Sequence, residues 1–535
     1  MEKRKQGSAL LFCYFVTLLF LFACGKEKNK LTGETIVFAS IGEPSYLNPL
    51  LASDSASSDI NDLVYNGLVK YDKDLKLIGD LAEGWEVSEE GLVITFRLRK
   101  GIFWHDGEPF TSKDVLFTYE RLIDAKVLTP FSGDFKRVKE VLIPDDYTVV
   151  VKYGEPFAPA LESWGIGILP EHIFKDGDFN RNPANRNPVG TGPYRFVRWD
   201  AGEKLVIEKN RRYFEETGNI GRVVYRIIPD ESVQFLELKR EAVDRMGLTP
   251  YQFKFQTNTD FFKKYFNKYK YPAFSYTYLG FNLKKDLFET PAVRQAITCA
   301  IDKKMIIKAV LLGYGQVCHT PYPPESWAYN PDVEKFSYNP AKARKMLEES
   351  GWSDSDGDGI RKKNGRKFSF TIITNQGNKM REECATIIQE ELKEVGIEVK
   401  IRILEWASFI HQYIDPRNFE AVLLGWSLSR DPDQFSIWHS SEIREGGYNF
   451  VSYKNAEADK LLEEGRRTFD TKKRKEIYGR FQEIIARDAP YCFLYVPEAL
   501  PAVHSRFQGI AVAPAGISYN FIKWTVPENL IKYKY

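Results

Sequence analysis

His105 and Asp106 stand side by side in KGIFWHDGEPFTSKDVLFTYERL, residues 100–122. An imidazole next to a carboxylate is the combination with which many enzymes activate a nucleophile or a water molecule. The surrounding residues favour a structural role, because Asp-Gly is a turn dipeptide and Thr111 with Asp114 forms a capping-box pattern before an apolar helical face. We therefore predict a strand, a turn and a capped helix, with no catalytic role for this pair.

The rest of the sequence supplies no partner for a catalytic histidine. It contains no G-x-S-x-G, H-E-x-x-H, C-x-x-C or P-loop motif, and its six histidines have no metal-ligand spacing. GTGPY at 190–194 has the glycines of a phosphate loop, but it lacks the Lys-Ser/Thr pair, and Pro193 has no N–H to donate. We predict a sharp turn there and a protein that is not an enzyme and needs no cofactor.

One stretch has the spacing of a metal loop. In DSDGDGI, Asp354, Asp356 and Asp358 occupy positions 1, 3 and 5 of a calcium-loop pattern, with Gly359 at position 6. Position 12 is Gly365, so the bidentate glutamate is missing. The sequence leaves two interpretations open, a weak calcium site and an acidic turn before a strand.

The amino terminus predicts export. A basic start and an apolar segment of about fifteen residues form a signal peptide over residues 1–23, too short for a membrane span. Leu21 to Cys24 resembles the bacterial lipobox, although Phe22 is bulkier than usual there. We expect lipidation of Cys24 and a polar tether over 24–33; an ordinary secretory signal is the alternative.

The charge balance argues against a nucleic-acid partner. The chain has 75 Lys and Arg and 73 Asp and Glu; residues 1–23 hold three of the basic and one of the acidic residues, so the exported chain carries 72 of each. A nucleic-acid binder needs an excess of basic surface.

The length predicts two or three domains. The pairing of the four remaining cysteines stays open, Cys299 and Cys318 being the closest in sequence.

Alternating patterns predict an α/β protein. Strand patterns lie in ETIVFAS, LVITFRLRK, DYTVVVKY and RVVYRIIP, and TPAVRQAITCAIDKKMIIKAVL reads as one long amphipathic helix. After residue 281, helix and strand patterns alternate as in a second α/β lobe. Composition changes at 281–282 and near 494–497 suggest that the chain crosses between the lobes there.

Several separated segments resemble one family, the extracellular solute-binding proteins of family 5, which serve peptide- and nickel-type ABC importers. The segments occur in the family's order, cover nearly all of the exported chain and include WHDG in 81–122, NPVGTGPY in 187–214, TPAVRQAI in 281–307, GWSLSRDPDQF in 425–435 and YNFVSYKNAEADKLL in 448–462. The resemblance implies a two-lobed periplasmic-binding-protein-like fold (type II, cluster C) with a domain inserted in the first lobe. The implied divisions are lobe I at 34–70, 190–281 and 498–535, an inserted domain II at 71–189 and lobe III at 282–497.

The resemblance also implies a function. The protein would be a monomeric, membrane-anchored receptor in the periplasm or at the cell surface that closes on a peptide or another small solute and delivers it to the importer's permease. Oligosaccharides and nickel complexes are alternative ligands; a secreted hydrolase, or a sensor or chaperone of the same fold, is the alternative function. The implied ligand-binding residues are Ser53, Asp54, Ser55, Tyr278, Asn282, Trp406, Trp426, Ser429, Tyr448 and Asn449.

The GW segment departs from the family's peptide-binding pattern. Three residues after Trp426 the family typically has an aspartate that pairs with the peptide's α-ammonium, and here that residue is Ser429. The segment is also one residue shorter before its Asp-Pro-Asp, and Asp431 could take the role if the shortened loop turned it inward. The sequence therefore predicts a receptor that does not depend on a free amino terminus. It also predicts that Trp426→Ala weakens binding more than folding.

Overall fold

The computed structural model describes residues 34–533, which form two lobes, each built on a seven-stranded sheet with helices against it. In the first sheet the central strand, Glu34–Ser40, is mostly buried and runs parallel to both of its neighbours. The predicted α/β class is confirmed. In spatial order the strands are Phe266–Lys268, Pro501–His504, Arg245–Gly247, Glu34–Ser40, Ile220–Ile227, Lys204–Lys209 and Tyr194–Asp200.

An inserted segment between residues 40 and 194 carries a small antiparallel sheet. Its apolar side chains, such as Phe96 and Val149, belong to the same buried cluster as Ile36 of the first sheet. The insertion therefore shares the core of the first lobe instead of having its own. Its strands in spatial order are Ala82–Val87, Val93–Leu98, Thr148–Tyr153 and Val138–Asp145, and a two-stranded ribbon, Val69–Tyr71 with Leu77–Gly79, leads into them.

The second sheet mixes parallel and antiparallel strands and forms the frame of the second lobe. Parallel Ser369–Asn375 and Glu398–Leu404 are joined by the Lys379–Glu394 helix, a βαβ unit. The strands in spatial order are Tyr271–Pro272, Tyr491–Ala499, Ser275–Phe281, Ala421–Ser427, Ser369–Asn375 and Glu398–Leu404, with Gly315–Val317 added to the edge of Tyr491–Ala499. A small ribbon, Lys362–Lys363 with Arg366–Lys367, lies apart from this sheet.

The crossings between the lobes differ from those predicted. The chain leaves the first sheet at 268–271 and returns at 499–501, where strands of one sheet lead into strands of the other. The strand Ser275–Phe281, expected to close lobe I, is buried in the second sheet and pairs there on both sides. The composition changes near 281–282 and 494–497 therefore reflect the buried strands Ser275–Phe281 and Tyr491–Ala499, and the hinge lies elsewhere.

Helices cover the faces of the sheets. No helix between residues 34 and 533 is long and apolar enough to cross a bilayer. The α-helices are Ser55–Val64, Ser112–Ile123, Ser132–Phe135, Ala160–Ser163, Glu171–Phe174, Glu231–Lys239, Asp260–Tyr265, Pro291–Ala300, Lys303–Ala309, Pro340–Glu349, Lys379–Glu394, Trp406–Ser408, Phe435–Trp438, Ala456–Arg467 and Thr471–Asp488. Gln252–Gln256 and Phe409–Ile414 are π-helical, and short 3₁₀ turns are Phe179–Arg181, Pro183–Asn185, Asp286–Phe288, Ser440–Glu442, Ser518–Lys523 and Glu528–Leu530.

The long helix predicted after residue 290 is wrong, since two helices, Pro291–Ala300 and Lys303–Ala309, lie there. Asp302 separates them, because its carboxylate accepts hydrogen bonds from the backbone N–H groups of Lys304 and Met305 at 3.0 Å each. An aspartate that caps a new helix competes with continuation of the preceding one.

His105 has a structural role, as predicted. Its ring accepts a hydrogen bond from the N–H of Gly190 at Nδ1 (3.2 Å), and Nε2 lies 3.0 Å from the carbonyl of Gly192. Burial lowers the pKa of His105 to about 4, so the ring is neutral. Asp106 pairs with His172 instead, at 2.8 Å. The GTGPY turn packs so closely on a helix end that a Cβ at Gly190 would lie 1.8 Å from the carbonyl oxygen of Val64.

The four cysteines between residues 34 and 533 are free, buried thiols, so the pair that the sequence left open, Cys299 with Cys318, is not formed. Cys318 lies in a different apolar cluster from the others, and burial raises the pKa of every thiol. Protonated thiols in apolar surroundings are unreactive.

The acidic loop, Asp354 with Asp356 and Asp358, is exposed, and its carboxylates come within 4.8 Å of one another. Lysines partner it: Lys362 contacts two of the carboxylates, and Lys367 lies 2.9 Å from Asp358. Asp354 also accepts hydrogen bonds from N–H groups of its own loop. Lysine side chains and backbone N–H groups thus partner the carboxylates of this acidic turn.

Candidate ligand-binding cleft

Residues implied by the resemblance meet where the two lobes face each other. Trp406 Nε1 lies 3.4 Å from Asp54 Oδ1 of the first lobe, and Tyr448 donates from its hydroxyl to the carbonyl of Ala52 at 3.4 Å. The Trp406 ring lies against Gly42, where a Cβ would be 2.6 Å from Cγ of the indole. The lobes therefore touch at this end of the cleft, and the absence of a side chain at residue 42 allows the contact.

Asp54 is held in place by the helix that it caps. Its Oδ1 accepts from the N–H of Ser57 at 3.0 Å and its Oδ2 from the Ser57 hydroxyl at 2.6 Å, while Ser45 donates a further hydrogen bond. Ser53 is half-buried, and Ser55 is exposed and lines a cavity. Of these three predicted residues, Asp54 makes the contact across the cleft.

A buried arginine joins the lobes at a second place. Arg466 Nε donates to Asp433 Oδ2 within its own lobe at 2.8 Å, and its Nη2 pairs with Asp134 of the inserted segment. Nη1 donates to the carbonyl of Gly133 at 3.1 Å, and the guanidinium lies 3.9 Å from the centroid of the Phe435 ring. The Asp134 contact spans the two lobes, so it can form only when they are closed.

Three adjoining cavities occupy the cleft. The largest, about 1320 Å³, lies between the Ser55–Val64 helix and the hinge strands. A second, about 740 Å³, shares Glu162 and Tyr271 with it and reaches Trp327 of the second lobe. A third, about 240 Å³, shares Asp59 with the largest and ends at Trp406. An elongated ligand fits this row of cavities better than a compact one.

The lining of the largest cavity is acidic, with nine acidic and four basic residues. Burial raises the pKa of Glu162 and of Glu231 to about 7, and the nearby charge of Asp431 adds to the shift at Glu162. Asp62 also has a pKa of about 7, through burial and repulsion from Asp59. None of these residues was predicted from the sequence, where the only signal was the spacing of Asp59 and Asp62 on one helix.

Tyr278 and Asn282, both predicted as ligand contacts, lie in the interior of the second lobe. The Tyr278 ring stacks on Tyr491 with centroids 3.8 Å apart, and the side chain is fully buried. The Asn282 amide donates to the carbonyls of Arg417 (3.0 Å) and Phe419 (2.8 Å). Strand burial and loop bracing account for both side chains, and neither residue lines one of the three cavities. Their role as ligand contacts stays a prediction.

Asn449 and Trp426 are also held by their own lobe. The buried Asn449 amide donates to three backbone carbonyl groups. The half-buried Trp426 ring is stacked on Phe450 with an interplanar angle of 6°, and its Nε1 donates to Tyr491 Oη at 3.3 Å. Trp426 lines none of the three cavities. The structure thus separates the two tryptophans, with Trp406 at the cleft and Trp426 in supporting packing.

Ser429 is exposed and donates from its hydroxyl to the carbonyl of Asp431 at 3.2 Å. The Asp431 carboxylate forms a two-pronged ion pair with Arg474, both contacts at 2.8 Å. Asp431 is therefore not available as the substitute carboxylate that the shortened loop could have supplied. A bidentate pair of this kind is strong and fixed in geometry.

The fold and the cleft define a two-lobed solute-binding protein. The family model "Bacterial extracellular solute-binding proteins, family 5 Middle" matches residues 76–446. The oligopeptide-binding protein AppA of Bacillus subtilis (strain 168) is 38% identical over 98% of this chain and 99% of its own length. The dipeptide-binding protein of Escherichia coli (strain K12) is 28% identical over 90% of this chain and 93% of its own.

Solved structures agree. The Bacillus subtilis AppA structure, in complex with a nonapeptide, has a TM-score of 0.88 and covers 93% of this chain and 100% of that one. NikZ from Campylobacter jejuni, in complex with Ni(L-His), has a TM-score of 0.83 at 28% identity and covers 92% of this chain and 99% of that one. The chain belongs to the family 5 extracellular solute-binding proteins, the substrate-binding receptors of ABC importers, so the implied fold and receptor class are confirmed.

Proposed function

We propose that this receptor captures an extended oligopeptide between its lobes and presents it, in the closed state, to an importer permease. The row of three cavities carries the proposal, because an elongated chain can occupy all of them at once. The similarity to an oligopeptide-binding protein, 38% identical over almost the whole length of both chains, supports it. One chain supplies both faces of the cleft, which suits a monomeric receptor.

Calorimetry with a pool of defined peptides of two to ten residues tests this ligand class. We expect one peptide bound per protein, with nine-residue peptides binding more tightly than dipeptides, since a dipeptide leaves most of the cavity row unfilled. Tight binding of a nickel–histidine complex or an oligosaccharide, with no peptide binding, would assign the receptor to another ligand.

We further propose that Cys24, which lies outside the described residues, anchors the protein to the membrane by lipidation. The lipobox-like LFAC segment and the polar residues 25–33 support this. In a bacterial expression host, labelled palmitate should enter the wild-type protein and should be absent from Cys24→Ser. A label that persists in the variant would contradict the anchor.

Binding should not require a free peptide amino terminus. An ammonium–carboxylate pair contributes about 1.5–3 kcal/mol, against about 1 kcal/mol for a neutral hydroxyl. Ser429 stands in the family's carboxylate position, and Asp431 is occupied by Arg474. Acetylation of a bound peptide should therefore change its Kd by less than about tenfold, by the same scale. A larger loss, measured by calorimetry on the matched pair, would show that another carboxylate recognises the amino terminus.

A further inference from the structure

Asp59 and Asp62 lie one turn apart on the Ser55–Val64 helix, and both line the largest cavity. Both side chains are exposed to the cavity, although protein surrounds them. Residues three apart on a helix are neighbours on one face, so two carboxylates stand next to each other there. Their proximity is unfavourable unless a positive group lies between them or near them.

The residues that the structure describes place no cation in contact with either carboxylate. Neither carboxylate has an ion-pair partner within 4.0 Å. Lys70, the lysine of the cavity lining that is nearest to them in sequence, forms ion pairs with Asp80 (3.1 Å) and Glu215 (2.5 Å) instead. Burial raises the pKa of Asp59, and Arg245 only partly opposes this from a distance, since its guanidinium donates to the Ser518 hydroxyl at 2.8 Å. The pair therefore keeps net negative charge inside the cleft.

The position of the pair within the cleft indicates which part of a ligand would meet it. Asp59 lines both the largest cavity and the small cavity that ends at Trp406, and the second cavity joins the largest at its other side, through Glu162 and Tyr271. A ligand that fills the row passes the aspartates along its length. An interior side chain, and not a chain end, comes closest to them.

We infer that Asp59 and Asp62 form a specificity site for a basic side chain, lysine or arginine, in the interior of the bound peptide. This rests on the proposed function, whose ligand class it narrows. An ammonium or guanidinium group there would make charge-assisted hydrogen bonds to carboxylates that lack a partner. It would also relieve the repulsion between them, so the neutral analogue of the same side chain should bind less well.

The test is a set of nine-residue alanine–serine peptides, acetylated and amidated at their ends, in which one lysine is moved through every position. Each is compared by calorimetry with the peptide that has glutamine at the same position. We expect at least one interior position at which lysine lowers Kd tenfold or more. In the double variant Asp59→Asn/Asp62→Asn this advantage should disappear while the glutamine peptides bind as in the wild type.

Glu216→Gln is the matched control, because Glu216 also lines the cavity and is exposed but lies away from the helix in sequence. It should leave the lysine advantage in place; an equal loss would assign the effect to the general field of the cavity and overturn the inference. Equal binding of lysine and glutamine peptides overturns it as well, with the proposed function intact. If none of the peptides binds, the proposed function fails and the inference with it.

The pH dependence of Tm in the ligand-free protein tests whether the Asp62 carboxylate lacks a stabilising partner. Asp62 has a pKa of about 7 in the folded protein against 3.8 as the ordinary value, and Asp54, Asp59, Tyr225 and Arg245 are the titratable groups that act on this face. Because the folded-state pKa is raised, this carboxyl costs stability as the pH rises from about 4 to above 7. Asp62→Asn should therefore raise Tm relative to wild type at pH 8 and not at pH 4. A lower Tm at pH 8 would show that the carboxylate has a stabilising partner and would overturn the inference.

Discussion

Asp134→Asn should weaken peptide binding by about tenfold to a hundredfold while leaving the stability of the ligand-free, open protein nearly unchanged. Asp134 supplies the part of the buried ion pair that exists only when the lobes are closed, since Arg466 keeps Asp433 in its own lobe. Removal of one partner of a buried pair costs up to about 3–5 kcal/mol; because the Asp134 side chain is 28% exposed and Asp433 remains as a partner of Arg466, we expect about 1.4–2.7 kcal/mol here. Because the ligand is bound in the closed state, a loss of stability of that state raises Kd.

Glu155→Gln is the control for this prediction. Glu155 also pairs across the lobes, with Arg467 at 2.7 Å, but the two side chains are 37% and 47% exposed, and its second pair, with Arg137 at 2.6 Å, lies within its own lobe. An exposed ion pair contributes about 0–1 kcal/mol, so Kd should change by less than about fivefold. If both variants bind equally, or if Asp134→Asn lowers Tm of the ligand-free protein by as much as it weakens binding, the buried pair does not act through closure.

The two tryptophans should respond oppositely to truncation. Trp406 lines the small cavity and contacts the first lobe, so Trp406→Ala should weaken binding by about 1–3 kcal/mol, or about 5- to 150-fold, with little effect on folding. Trp426 packs on Phe450 and Tyr448, so Trp426→Ala should lower the free energy of unfolding by about 2–4 kcal/mol. This reverses the expectation for Trp426 that the sequence alone supported.

Urea unfolding and calorimetry on both variants separate the two effects. Affinity is measured on the folded fraction, so that a loss of folded protein is not counted as a loss of binding. A folded Trp426→Ala protein with weakened binding would restore that residue to the ligand site, and a Trp406→Ala protein that binds normally would remove Trp406 from it.

Local patterns predicted the elements well because local chemistry sets them. Thr111 and Asp114 cap the helix as the sequence indicated, and the Asp-Gly turn before it brings His105 against the glycine turn. The strand at Ser275–Phe281 shows the limit: an apolar run reveals burial but not which sheet buries it. Asp302 shows a second limit of prediction from sequence. An aspartate inside an amphipathic pattern is taken for a polar position on the helix surface, and only the structure shows the hydrogen bonds with which it caps a new helix.

The cleft was harder to predict than the fold. Trp406, Asp54 and Tyr448, which the resemblance implied as ligand contacts, lie where the two lobes touch. Tyr278 and Asn282 lie in the interior of the second lobe, because aromatic and amide side chains next to a cleft serve equally well in its supporting core. The unpaired aspartates could not be identified, since pairing depends on residues from distant parts of the chain.

Native mass spectrometry of the purified protein incubated with a peptide mixture tests the central claim most directly. A receptor that closes on an oligopeptide should show one peptide per protein, and the peptide released by denaturation should have its original mass. A bound species that is not a peptide would contradict the ligand class. Cleaved peptides whose formation survives repurification of the protein would contradict the receptor itself and support a hydrolase.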